Sequence, residues 1–135
     1  MDKKLNLALV GFGSFGKIYY KTIKKNKKFL LKTIFRKRKI RNSKFKLLSK
    51  KNLKENNIEA AVVCTPVKTH FSISKFLIEN KIPLILEKPA ANKLSEIKKL
   101  IQISSKHKAV VFVNHSDLYN ENFQFLLSKK KLIGK

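Results

Sequence analysis

The sequence predicts an α/β fold, a doubly wound parallel sheet in a single domain. Three observations lead there. Short apolar runs without polar alternation, LNLALV, AAVVC and PLILE, read as strands buried on both faces. Between them lie stretches whose apolar residues recur at helical spacing. The connections are short, with no internal repeat and no low-complexity linker. Strands and helices that alternate in this way build a parallel sheet with helices on both sides.

Taken in order, Leu5 to Val10 is the first strand, and a helix is expected from about Ser14 with Phe15, Ile18, Tyr19 and Ile23 on its inner face. Phe29 to Phe35 reads as the second strand. Ser43 is expected to cap a short helix that carries Phe45 and Leu48 inward. Ala60 to Cys64 is a third buried strand, ended by Pro66. A helix from about Thr69 to Asn80 should bury Phe71, Ile73, Phe76 and Leu77. Pro83 to Glu87 is the next strand, and after Pro89 a helix near Leu94 to Ser104 aligns Ile97, Leu100, Ile101 and Ser104. Ala109 to His115 is the last strand, and NFQFLLSKK reads as a closing helix.

With 135 residues and 43% hydrophobic content, the chain can bury one core. Its formal charge is +24, and Lys17 to Lys54 holds 14 lysines and 3 arginines with no acid. One reading of the lysine excess is a bias toward AT-rich codons, which also favour the Asn, Ile and Phe that abound here. The functional readings are a phosphorylated ligand, an anionic surface or nucleic acid. The single cysteine excludes an internal disulfide and fits a reducing compartment. The apolar start stops at Val10 without a cleavage site, and no run is long enough for a membrane span, so a cytoplasmic location is expected. His70, His107, His115 and Cys64 lack metal-ligand spacing, and no G-x-S-x-G elbow occurs.

Gly11, Gly13 and Gly16 form G-x-G-x-x-G between the first strand and the first helix. In a Rossmann-like fold these glycines permit a tight turn, a close approach to a diphosphate and close helix packing. The helix start then offers N–H groups and partial positive charge to the phosphates. Such folds place an acid about 20 residues on for a ribose hydroxyl, or an arginine for a 2′-phosphate. Here that place is occupied by Arg36, followed by Lys37 and Arg38. A guanidinium holds a phosphate with paired hydrogen bonds, so NADP is the expected cofactor and NAD the alternative.

The second constellation is LILEKPAA, Leu84 to Ala91, which puts a carboxylate and an amine at the ligand-binding edge of the sheet. By itself the Glu87-Lys88 pair also reads as an ordinary strand-end ion pair. LALVGFGSFGK together with AAVVCTPVKTHFSISKFLIENKIPLILEKPAA resembles the N-terminal half of the Gfo/Idh/MocA oxidoreductases. The resemblance spans the glycine turn, Thr65-Pro66, His70 and Glu87-Lys88-Pro89. It implies that Gly11, Phe12, Gly13, Ser14, Phe15 and Gly16 bind the diphosphate, with Arg36 and Arg38 at the adenosine ribose. It also implies that Cys64, Thr65, Pro66 and His70 lie beside the cofactor. Glu87 would approach the nicotinamide ribose, and Lys88 would be the catalytic residue, touching both substrate and cofactor and helping to move the hydroxyl proton.

On the same resemblance, residues 1–120 form the NAD(P)-binding Rossmann domain. Residues 121–135 form a helix and the start of a crossover to a C-terminal substrate domain that this sequence lacks. Tyr119 resembles the family's stretch after the last strand, with Glu121 where a proline is usual. The substrate class implied is a sugar, a cyclitol or a derivative. Without the second domain, its Asp and His and its subunit contacts, the chain is expected to bind cofactor and to be weak or inert as a catalyst. The alternatives are a non-catalytic nucleotide sensor or partner subunit, and a basic nucleic-acid binder. The latter is disfavoured because 29 of 32 cations are lysine, and because the ten phenylalanines mostly fall at expected core positions. Nonspecific adhesion to nucleic acid at low salt remains compatible with the charge.

Overall fold

The computed structural model describes residues 3–36, 45–46 and 48–130. The strands are β1 (Leu5–Val10), β2 (Phe29–Phe35), β3 (Phe45–Lys46), β4 (Ala60–Val63), β5 (Leu84–Glu87) and β6 (Val111–Asn114). The helices are α1 (Ser14–Lys25), α2 (Lys50–Glu55), α3 (His70–Glu79), α4 (Leu94–His107) and α5 (Glu121–Ser128). All strand pairs are parallel and the order is β3-β2-β1-β4-β5-β6. This is the doubly wound sheet expected from the sequence.

Side-chain alternation along β1 divides the core into two layers. Ala8 and Val10 join Phe35, Val63, Leu77, Ile78, Leu86 and Leu100 on the face covered by α2, α3 and α4. Leu7 and Leu9 join Ile23 and Val62 on the face covered by α1. Phe35, at 1% exposure, is the largest fully buried side chain, and truncating it to alanine should cost about 3–5 kcal/mol. Because every strand runs the same way, Val10, Phe35, Val63, Glu87 and Asn114 end along one edge of the sheet. The order reverses at β1, which has β2 on one side and β4 on the other, and such a switch opens a crevice at that edge.

Several local expectations are corrected. The inner face of α1 is Gly16, Tyr19 and Ile23, while Phe15 and Ile18 are exposed. Gly16 must face inward because its backbone packs against Gly11, which rotates the larger apolar residues out. Phe45 belongs to the edge strand β3. The short helix begins at Lys50 and is capped by Ser49, whose hydroxyl accepts from Asn52 N at 3.2 Å. The cap expected at Ser43 lies outside the described residues. In α3 Leu77 is fully buried and Phe71, Ile73 and Phe76 pack against the core as expected, with His70, Ser74 and Ile78 buried in addition; in α4 the buried positions are Leu100 and Ile103, with Ile101 exposed. Among the described phenylalanines, Phe35 is buried and Phe12, Phe29, Phe71 and Phe76 pack against the core, whereas Phe15, Phe112, Phe123 and Phe125 are exposed.

Candidate functional site

At the end of β1 the backbone turns through Gly11, whose φ is +103°, a conformation that L side chains rarely adopt. Gly11 N donates to Phe35 O at 3.0 Å, which ties the turn to β2. A Cβ on Gly11 would lie 2.8 Å from the Cys64 carbonyl oxygen, and one on Gly16 would lie 2.7 Å from the Gly11 carbonyl oxygen. At Gly13 a Cβ would meet nothing within 4 Å. Two of the glycines are therefore required by protein packing, and the middle one borders open space. Gly13 is the N-cap of α1, no side chain caps that helix start, and its first turn holds no acid. Its leading N–H groups and its dipole are thus available to an anion.

The turn opens into a cleft of about 940 Å³. Of the residues singled out from the sequence, Gly11, Phe12, Gly13, Ser14, Phe15, Arg36, Cys64, Thr65 and Pro66 line it. Gly16 lies beneath, buried in α1. Arg38 lies outside the described residues. Lining residues not anticipated are Leu48, Lys68, Thr69 and Ile73. The last three follow Pro66 in the segment leaving β4, and that position was the available signal for them. Thr69 Oγ1 lies 2.7 Å from Pro66 O and 2.8 Å from Thr65 Oγ1, which makes this segment a compact turn. Among the described lining residues are two cations, Arg36 and Lys68, and no carboxylate.

His70, Glu87 and Lys88 sit beside the cleft rather than in its lining. His70 is 1% exposed, with Nδ1 2.8 Å from Pro89 O and Nε2 2.7 Å from Thr65 O. The ring bridges the segment after β4 and the segment after β5. Glu87 and Lys88 do not pair with each other. Glu87 Oε1 accepts from Tyr19 Oη and, at 2.8 Å, from Asn114 Nδ2. Burial and then this bond to the Glu87 carboxylate drive the Tyr19 phenol far above its ordinary range. Cys64, which adjoins the glycine turn, has its thiol pushed up to about 12, first by burial and then by the Glu87 charge. Lys88 Nζ donates instead to Asp117 Oδ2, in the turn Ser116–Tyr119. That hydrogen bond holds the Asp117 carboxyl below the usual carboxylate range.

Among the described residues, no helix is long and apolar enough to cross a membrane. Comparison with known proteins places the architecture. The chain is 30% identical over 78 residues to the uncharacterized oxidoreductase YgjR of Escherichia coli (strain K12), a match covering 58% of this chain and 24% of that protein. It superposes on GenD2 from gentamicin A biosynthesis, solved in complex with NAD, with a TM-score of 0.80 and 18% identity over 90% of this chain and 37% of that one. It superposes on the D-galactose-1-dehydrogenase protein from Rhizobium etli with a TM-score of 0.77 and 22% identity, over 90% of this chain and 40% of that one. The chain thus spans well under half the length of the proteins it matches, and at these identities the structural likeness shows the fold alone. Residues 5–115 match the model of the oxidoreductase family with an NAD-binding Rossmann fold. On that match the chain belongs to the Gfo/Idh/MocA oxidoreductases, and the sheet with its glycine turn is their NAD-binding Rossmann domain.

Proposed function

We propose that this chain is the cofactor-binding part of an NADP-dependent oxidoreductase acting on a hydroxyl or keto carbon of a sugar, cyclitol or derivative. The observation that supports this reading is the charge and shape of the cleft. It has open space at Gly13, and its described lining includes Arg36 and Lys68 and no carboxylate. A diphosphate fits the uncapped start of α1. A guanidinium at the end of β2 suits a 2′-phosphate, which a carboxylate there would repel.

In this reading the bound dinucleotide supplies or accepts the hydride. The backbone of Gly11 to Phe15 holds the diphosphate, with Gly16 shaping the turn from below. Arg36, and Arg38 beyond the described residues, hold the adenosine ribose phosphate. Cys64, Thr65 and Pro66 pack along the cofactor, and Glu87 accepts from a ribose hydroxyl. Lys88 is the catalytic residue: its ammonium donates to the substrate oxygen and takes back the proton in the reverse direction. Asp117 pairs with Lys88 and holds its ammonium in place. His70 acts from beneath, keeping the Thr65 and Pro89 segments in register. The Lys88 side chain is 43% exposed, so water is not excluded around it and turnover by these residues alone is slow. The sugar-like substrate class accords with the name of one structural neighbour, a galactose dehydrogenase. The site assignments themselves come from the family resemblance.

The test is the affinity of NADPH against NADH, measured by cofactor fluorescence for the chain and for Arg36→Ala. NADPH should bind at least tenfold tighter than NADH, and Arg36→Ala should lose most of that margin. Equal affinities in the unaltered chain overturn the NADP assignment. A second reading, a nucleic-acid surface, gains one observation: the exposed side of α1 interleaves Phe15, Ile18 and Tyr20 with Lys17, Lys21 and Lys24. Oligonucleotide binding that survives physiological salt would favour it. Binding that collapses steeply with ionic strength marks nonspecific adhesion.

A further inference from the structure

Glu87 is 8% exposed, and no salt bridge forms at its carboxylate among the described residues because Lys88 is turned to Asp117. A buried carboxylate without a cation must be satisfied by hydrogen bonds. Tyr19 from α1 and Asn114 from β6 both donate to Oε1, and Asn114 Nδ2 also donates to Tyr19 Oη at 2.8 Å. Among the described residues Oε2 receives no hydrogen bond. Two separate elements, α1 and β6, therefore hold one oxygen and leave the other. Next to this group is Cys64, which lines the cleft and whose thiol feels the Glu87 charge.

The oxidised and reduced dinucleotides share their diphosphate, riboses and any 2′-phosphate, and differ by one positive charge on the nicotinamide ring. Contacts at the glycine turn and at Arg36 cancel when the two affinities are divided. A fixed carboxylate beside the crevice does not cancel, since it attracts the pyridinium and leaves the neutral dihydropyridine indifferent. Resting on the dinucleotide reading above, we infer that Tyr19 and Asn114 are positioning residues that aim Glu87 Oε2 at the bound cofactor, so that the site selects the oxidised form. Tyr19 donates without giving up its proton, because its phenol stays neutral across the physiological range.

The experiment measures Kd for NADP+ and for NADPH separately, by calorimetry, on the full chain and on Glu87→Gln, Tyr19→Phe, Asn114→Ala and the double variant Tyr19→Phe/Glu87→Gln. Circular dichroism confirms that each is folded. Glu87→Gln should move the ratio of the two affinities toward NADPH by about tenfold. Tyr19→Phe and Asn114→Ala should each move it the same way by about threefold, as the freed carboxylate swings. The double variant should go no further than Glu87→Gln, because Tyr19 acts through Glu87. Arg36→Ala should weaken both forms equally and leave the ratio alone. An unchanged ratio in Glu87→Gln, an equal loss of both forms in Tyr19→Phe and Asn114→Ala, or an additive double variant overturns the inference. Absence of binding of either form to the unaltered chain brings down the dinucleotide reading itself, an outcome distinct from a shifted or unshifted ratio. If Tyr19→Phe does not fold, Asn114→Ala and Glu87→Gln still decide it.

Discussion

Alanine at each of the three turn glycines separates packing from binding. At Gly16 the new methyl would lie 2.7 Å from the Gly11 carbonyl oxygen, a backbone atom that cannot rotate away. Overpacking against a backbone atom falls at the upper end of the usual range, about 3 kcal/mol, and the better helix propensity of alanine returns about 1. A net loss of about 2 kcal/mol lowers Tm by roughly 6–10 °C for a domain of this size. Gly11→Ala adds backbone strain at φ +103° to a 2.8 Å contact with the Cys64 carbonyl and should cost at least as much. At Gly13 the methyl meets no protein atom within 4 Å. Alanine is a poorer N-cap than glycine, yet it restricts the unfolded chain, and these effects largely offset, leaving Tm within about 3 °C. The same methyl occupies the space assigned to the diphosphate and should weaken NADPH at least tenfold, about 1.4 kcal/mol. Thermal unfolding without cofactor and NADPH fluorescence titration read the two quantities independently. A Gly13→Ala variant that binds as tightly as the original, or melts as early as Gly16→Ala, refutes the geometric argument.

Three further outcomes follow from the described contacts. Asp117 has a lowered folded-state pKa, so the Lys88–Asp117 bond is intact above the unfolded carboxylate value and is lost as pH falls through the folded one. The carboxyl 13C shift of Asp117 should titrate below the usual range, and Lys88→Met should return it to normal; no change in that variant would show the pair to be unformed. The Cys64 thiol, raised to about 12, should carry on the order of a thousandfold less thiolate at pH 8 than a free thiol, and alkylation by iodoacetamide should be correspondingly slow unless the chain is unfolded. Its raised pKa favours the folded state below the unfolded thiol value, and this contribution fades as pH climbs toward 12. Ser74 is fully buried in α3 and its hydroxyl lacks a partner among the described residues, so Ser74→Ala should raise stability by about 1 kcal/mol in a thermal melt; a lowered Tm would mean that the hydroxyl is satisfied.

The strands were legible because a strand buried on both faces must be continuously apolar, as Ala60 to Val63 is, and because glycine and proline mark their ends. The glycine turn was legible for a related reason, since few residues other than glycine fit at Gly11 and Gly16. Helix faces were less so. Along α1 two apolar stripes compete, and periodicity favours the one with Phe15 and Ile18. The tight approach of Gly16 to Gly11, a tertiary fact, selects the other. The edge strand Phe45–Lys46 is too short to show any period. The partners of Glu87 and Lys88 could not be read at all. Asn114 lies 27 residues from Glu87, Tyr19 lies 68 away and Asp117 lies 29 from Lys88, and no local rule pairs residues so far apart. Lys68 and Thr69 are ordinary residue types without a motif, and only the parallel strand order brings their segment to the cleft.

The placement of β1 at the middle of the sheet has a consequence for biosynthesis. A chain emerging from the ribosome can pair β1 with β2 and cover Leu7 and Leu9 with α1 as soon as residue 35 has appeared. The opposite side of that ribbon, with Ala8, Val10 and Phe35, gains its full cover only when α2, α3 and α4 have been made, with Ala109 following α4. Throughout that interval a greasy strip lies bare on a lysine-rich nascent chain. Premature termination anywhere between those points therefore yields a sticky product that depends on chaperone capture, whereas termination after α4 yields one whose interior is closed.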